Sequence, residues 1–227
     1  MCFGFLKSSL GKKVVMAVTG VILFGFVIMH MLGNLQVFLG QDALNNYALK
    51  LQKMPYLLWP ARAFLLTALI THIVVAVWLT AENRRARPVA YTVKETVQAS
   101  YASRTMMMSG VIVFVFIVYH LLHFTFGVTH PELFHRLDAR GRYDVYTLVV
   151  SSYHNVWVAS AYVLAMVPLC LHLSHGLSSL FQSLGLKHTR FQPALGWFAK
   201  GMALIIFIGN SSIPMAAFFN WLKLPAR

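Results

Sequence analysis

Apolar residues fall along this chain in five long unbroken runs, and the polar residues collect between them. The runs cover approximately residues 14–39, 59–80, 105–128, 156–180 and 195–221. Each is about the 20 residues that a helix needs to cross a ~30 Å hydrocarbon core. Polarity does not alternate with a period of two inside them, so helices are favoured over a β-barrel. The pattern predicts an all-α membrane protein with five transmembrane helices, forming a single domain over residues 1–227. A polar lead-in from Lys7 to Lys13 precedes the first run. Between the first two, a short amphipathic stretch around Tyr47 to Leu51 is followed by Met54, Pro55, Trp59 and Pro60, which turn the chain back. The second helix closes at Glu82 to Arg87 and Pro88, and Tyr91 to Arg104 forms a polar connection with a helical lead into the third. Gly127 opens the longest connection, which ends near His154. Pro168 is expected to bend the fourth helix by removing the backbone bond to Leu164. No internal repeat stands out.

Composition agrees: of 227 residues 58% are hydrophobic and only 11% charged, too few charges to cover a soluble globule. Lys7, Lys12 and Lys13 resemble the start of a secretory signal, but the run after them is too long and lacks a small-residue cleavage site, so a mature helix is expected. Cys2 and Cys170 imply neither a disulfide framework nor a metal-binding spacing. The formal charge of +13 reads as topology rather than nucleic-acid binding, because the basic residues are spread over the connections. Lys7, Lys12, Lys13, Arg84, Arg85, Arg87, Lys94, Arg104, Lys187, Arg190 and Lys200 fall on one side. On the other, Arg136, Arg140 and Arg142 are diluted by Asp42, Glu132, Asp138 and Asp144. This places the amino terminus inside and the carboxyl terminus outside.

The chemistry lies in four histidines set singly in the apolar runs: His30, His72, His120 and His172. An imidazole inside a span is costly unless something pairs with it, and such residues face a bundle interior. At 1.5 Å per residue, His30 lies roughly 25 Å beyond Lys13 and His120 roughly 24 Å beyond Arg104, so they meet at one outer level. His72 and His172 lie roughly 18 and 20 Å from the inner ends of helices 2 and 4 and meet at a second level. Two bis-histidine sites follow, from helices 1 with 3 and 2 with 4, with helix 5 as a flanking scaffold. Such pairs suit haem iron with both axial positions filled, which favours electron transfer. Backbone bonding or a proton relay is the duller alternative for each histidine. His123 and His175 lie three residues beyond His120 and His172, on nearly the same faces, so spacing leaves open which member of each pair is the ligand. Gly20, Gly25 and Gly33 on helix 1 offer smooth places for a helix or a flat macrocycle. Arg62 and Arg104 are candidates for the propionates. Asn34, Gln36 and His123 at the outer level, or Ser174 and His175 at the inner one, are candidate donors to a quinone. His130, His135, His154 and His188 read as interfacial or solvated.

Gly11-Lys12-Lys13, His30-Met31-Leu32-Gly33-Asn34-Leu35, Tyr119-His120 and His172-Leu173-Ser174-His175-Gly176-Leu177 resemble the dihaem, five-helix cytochrome b membrane subunit of succinate dehydrogenase and fumarate reductase. The resemblance covers nearly the whole chain and is most specific at the last motif. It implies His172 rather than His175 and His120 rather than His123 as ligands, with His30 and His72 completing the outer and inner haem b sites. It implies an anchor for a flavoprotein carrying FAD and an iron–sulfur protein, with electrons passing through two haems to or from a quinone, usually menaquinone. The setting implied is a bacterial cytoplasmic membrane, with lipid and these two subunits as partners and a higher oligomer of the whole complex as a further step. Some dihaem relatives carry a glutamate two residues before the helix-4 ligand, where this chain has Cys170, which counts against a proton route there. The competing functions are a dihaem anchor of another respiratory dehydrogenase and a histidine-relay transporter. A transporter predicts acidic partners at mid-membrane, and none of the six acidic residues lies deep in a run.

Overall fold

A computed structural model describes residues 8–86, 100–185 and 192–225. Lys7, Arg87, Pro88, Tyr91, Lys94, Lys187, His188 and Arg190 lie outside the described residues. Helix α1 (Ser9–Asn34) starts where Ser8 Oγ accepts a hydrogen bond from the Gly11 N–H at 3.0 Å, satisfying one of the orphan donors of a helix start. It tightens into a 3₁₀ turn, Leu35–Leu39, and stops at Gly40, whose φ of 95° suits a residue without a β carbon. There follow α2 (Gln41–Gln52), α3 (Pro55–Arg85), α4 (Tyr101–Arg104), α5 (Met106–Phe124), α6 (Pro131–Phe134), α7 (Val145–Tyr153), α8 (Val156–Ser183) and α9 (Gln192–Phe218).

Five of these elements, α1 with its 3₁₀ turn, α3, α5, α8 and α9, are long and apolar enough to cross a membrane, and they correspond to the five runs. The ends differ. Helix α5 stops at Phe124 rather than near 128 because the Phe126 and Val128 N–H groups turn back to the Leu121 and Leu122 carbonyls, both at 2.9 Å, around Gly127 at φ 65°. Helix α8 runs unbroken through Pro168, and the amphipathic stretch after the first span is the full helix α2.

The long connection after α5 is not merely a solvated loop. Within it α7 is buried along most of its length, at Tyr146, Thr147, Leu148, Val150, Ser152 and Tyr153. Asp144 caps it by accepting from the Thr147 N–H at 3.2 Å. The charges read as topology are locked together above it. Buried Arg142 donates through Nε to Asp138 Oδ2 and through its other nitrogens to Asn46 Oδ1 and Asp42 Oδ1, each at 2.7 Å. Asn45, fully buried, donates to Asp138 Oδ2 at 3.0 Å and Asp144 Oδ1 at 3.1 Å and accepts from the Tyr146 N–H at 3.0 Å. Burial alone would raise the Asp138 carboxyl. Hydrogen bonds from Arg142, Asn45 and the Arg140 backbone outweigh it and hold the group well below the usual carboxylate range. Asn45→Ala strips partners from three buried groups at about 1–3 kcal/mol apiece. A clearly lower denaturation midpoint of the purified protein, read by tryptophan fluorescence, is the expected result.

Helix α3 packs on α1, α1 on α8, and α8 on α5, which sets four spans around a common interior. Helix α9 flanks them against α8 and is the most deeply buried span, with Ile206 and Ala217 wholly enclosed. Gly209 lets the Met31 side chain of α1 lie against it, where a β carbon would collide. At the amino-terminal face, Lys12 of α1 is ion-paired with Glu82 at the end of α3.

Candidate cofactor site

The four spans bring the buried-run histidines together in two couples. His72 of α3 and His172 of α8 have ring centroids 6.4 Å apart, and His30 of α1 and His120 of α5 have centroids 5.6 Å apart. The first couple lies towards the amino-terminal face and is termed inner. All four rings are only half-buried by protein.

Hydrogen bonds decide which nitrogen of each inner ring is available. Thr19 Oγ1 gives its proton to the carbonyls of Val15 and Met16, at 2.8 and 3.1 Å, and so accepts from His72 Nδ1–H at 3.0 Å. Ser109 Oγ gives its proton to the Met106 carbonyl at 3.0 Å and accepts from His172 Nδ1–H at 3.3 Å. Both rings are therefore Nδ1–H tautomers with the lone pair on Nε2. Neither Nε2 has a hydrogen-bond partner among the described residues. The neighbouring Gly20 and Gly110 present no side chain here, and a β carbon would stand 3.6 Å from His72 Cε1 and 3.4 Å from His172 Cε1 respectively.

The outer couple is built differently. His120 Nδ1 is buried with no partner, whereas His30 Nε2 accepts from the Asn34 amide at 3.0 Å. Phe26 stacks on His30 at 5.3 Å and Phe116 lies beside His120 at 5.9 Å.

Thr19-Gly20-Val21-Ile22-Leu23-Phe24-Gly25-Phe26-Val27-Ile28-Met29-His30 matches Ser109-Gly110-Val111-Ile112-Val113-Phe114-Val115-Phe116-Ile117-Val118-Tyr119-His120. The glycine, valine, isoleucine, both phenylalanines and the histidine are identical, and a hydroxyl residue leads each stretch. A short repeat, not outstanding in the sequence by itself, is thus present in two of the spans. Each copy places a hydroxyl and a glycine at the inner level and an aromatic–histidine pair at the outer.

Two imidazoles bonded to one metal at about 2 Å each place their ring centroids roughly 6 Å apart. Both observed separations fit, so each couple would hold one metal, such as the iron of a haem. The inner couple fits best, with both Nδ1 groups tied back and both Nε2 lone pairs free; at the outer couple the Asn34 amide occupies the His30 lone pair.

Other candidates are placed as follows. His123 is wholly buried: Ser152 Oγ, which donates to the Leu148 carbonyl at 2.7 Å, accepts from His123 Nε2–H at 3.0 Å, and Tyr162 O–H donates to Nδ1 at 2.9 Å. Both of its ring nitrogens are thus hydrogen-bonded within the protein. His130 stacks on it at 5.1 Å, His135 lies beside Phe134 and His154 ends α7. Asn34 is engaged with His30, Gln36 is half-buried in the 3₁₀ turn, and Ser174 donates to the Leu171 carbonyl at 3.0 Å. His175 is half-buried on α8. Arg62 is exposed with its guanidinium over Trp59 at 5.1 Å, and Arg104 is exposed at the end of α4. Gly25 meets nothing within 4 Å and Gly33 faces Tyr47, so of the three helix-1 glycines only Gly20 faces a histidine. The Cys170 thiol donates to the Ala203 carbonyl of α9 at 3.1 Å.

A family model described as the succinate dehydrogenase/fumarate reductase transmembrane subunit matches residues 80–209, more than half of the chain and including His120 and His172. No curated protein and no solved structure gives a significant match.

Proposed function

Because the chain belongs to the succinate dehydrogenase/fumarate reductase transmembrane subunit family, we propose that it is the dihaem cytochrome b anchor of a succinate:quinone oxidoreductase. It is an integral membrane protein, and its five apolar helices fit that role. The observation that carries the reading is the inner couple, where two imidazoles from different spans keep their Nε2 lone pairs free at a separation that accepts one metal. His72 and His172 hold the inner haem b. His30 and His120 would hold the outer one. The internal repeat carries the argument to His30, which lies outside the matched stretch but is the counterpart of His120. Bound haem supplies a reversible one-electron carrier with no open axial position.

The chain's own residues orient the axial groups, exclude water with apolar spans, and offer cations at the boundary. Arg62 and Arg104 are the cationic groups proposed for the propionates. Lys13, Arg84, Arg85 and Arg104 are exposed at the amino-terminal side, and we assign that side to the cytoplasm and to docking of the iron–sulfur and flavoprotein subunits, which carry the dicarboxylate chemistry and FAD. Asn34 and Gln36, or Ser174 and His175, remain the polar groups proposed for a quinone headgroup, menaquinone being the usual partner of the dihaem type. The relay-transporter alternative asks for acidic partners, yet the hydrogen-bond partners of these histidines are hydroxyls and an amide.

The test is a dithionite-reduced-minus-oxidised spectrum with haem quantification on the purified complex. About two low-spin b haems per copy, unreactive to carbon monoxide, are expected. A complex without haem would sink the proposal and return the buried histidines to proton chemistry.

A further inference from the structure

Thr19 and Ser109 occupy the same place in the two copies of the repeat, and both do the same thing. Each hydroxyl is buried, each gives its proton to the carbonyl three residues earlier on its own helix, and each faces Nδ1 of an inner histidine on the neighbouring span. A hydroxyl has one proton, and once the helix carbonyl takes it only acceptor capacity is left for the imidazole. The inner rings are thus tied on both sides by matched neutral acceptors. Among the described residues no such pair exists at the outer level, where His120 Nδ1 has no partner and His30 is met by an amide donor.

Resting on the dihaem reading above, we infer that Thr19 and Ser109 are positioning residues for the inner haem: they fix its two axial imidazoles as Nδ1–H tautomers and depress its reduction potential relative to the untied case. The physical cause is that an Nδ1–H engaged by an acceptor gives a more basic imidazole, and a more basic ligand favours the oxidised metal. The same two bonds also orient the rings.

The experiment is potentiometry of the two haem components in the purified complex carrying Thr19→Val, Ser109→Ala, Thr19→Ser or Ser109→Thr. Valine matches threonine in shape, so Thr19→Val removes the acceptor and little volume. The expected result is two haems retained in every variant, with one component more easily reduced by about tenfold in Thr19→Val and in Ser109→Ala, equivalent to about 59 mV for a one-electron couple. The other component stays, and the hydroxyl-keeping variants match the unchanged complex. Selective loss of one haem from Thr19→Val, with both kept in Thr19→Ser, would also support the assignment. Unmoved potentials in both hydroxyl-deletion variants would overturn it, as would Thr19→Ser behaving like Thr19→Val, which would assign the effect to packing. Those outcomes leave the dihaem reading standing; an unmodified complex without haem would overturn both.

Discussion

His72→Ala is expected to leave one haem per copy where the unchanged complex holds two. Quinone reduction by succinate falls to background, while succinate oxidation with an artificial dye persists in the soluble subunits. With the α3 imidazole gone, the inner level keeps only His172, anchored by Ser109 on the opposite side of the bundle. The fold itself survives on magnitude. The substitution breaks the hydrogen bond to Thr19, and a typical hydrogen bond is worth about 0.5–1.5 kcal/mol. That is small against the ~5–15 kcal/mol of a folded domain. The ring is also only half-buried by protein. Haem quantification with parallel quinone and dye assays reads the outcome, and His172→Ala is expected to repeat it. His120→Ala instead removes the outer haem and leaves the inner spectrum unchanged. Two haems retained in His72→Ala would defeat the pairing of helices α3 and α8.

Counting residues from the basic ends was enough to bring His30 level with His120 and His72 level with His172, because a membrane span converts sequence distance into depth almost linearly. What that counting could not supply was the partner of each ring. Thr19 lies 53 residues from His72 and Ser109 lies 63 from His172, so neither pairing leaves a local signature. The partners of His123, Ser152 and Tyr162, are likewise 29 and 39 residues away, so its buried bonds leave no local signature either. The twelve-residue repeat was present in the sequence throughout. It is masked by the alphabet of lipid-facing helices, where valine, isoleucine, leucine and phenylalanine recur for solubility in lipid alone. Only the hydroxyl-glycine at its start and the histidine at its end carry information. Helix α7 escaped for another reason: nine residues are too short to span, and the charges before it read only as a sign of topology. Those charges are in fact the seal that folds the connection down, through Arg142, Asp138 and Asn45.

Gly110→Leu is expected to remove the inner haem as completely as loss of a ligand. A β carbon at Gly110 would already stand 3.4 Å from Cε1 and 3.8 Å from Nδ1 of His172, near the limit of ordinary contact. The further carbons of leucine then have to enter the space beside the ring or push the ring off Ser109. Gly20→Leu is expected to act in the same way on His72, where the β carbon has slightly more room at 3.6 Å. Helix propensity works in the opposite direction, since replacing glycine by leucine in a helix interior gains about 0.5–1 kcal/mol. A poorer helix therefore cannot explain a lost haem; only bulk at that position can. Gly201→Leu is the control: it makes the same change at an exposed position of α9, where a β carbon meets nothing within 4 Å, and both haems are expected to remain. Haem-to-protein ratio and the reduced spectrum of the three variants decide the matter. Two haems with unshifted potentials in Gly110→Leu would mean that the repeat's glycine is a helix-packing residue, and that the space it leaves beside His172 is not where the cofactor lies.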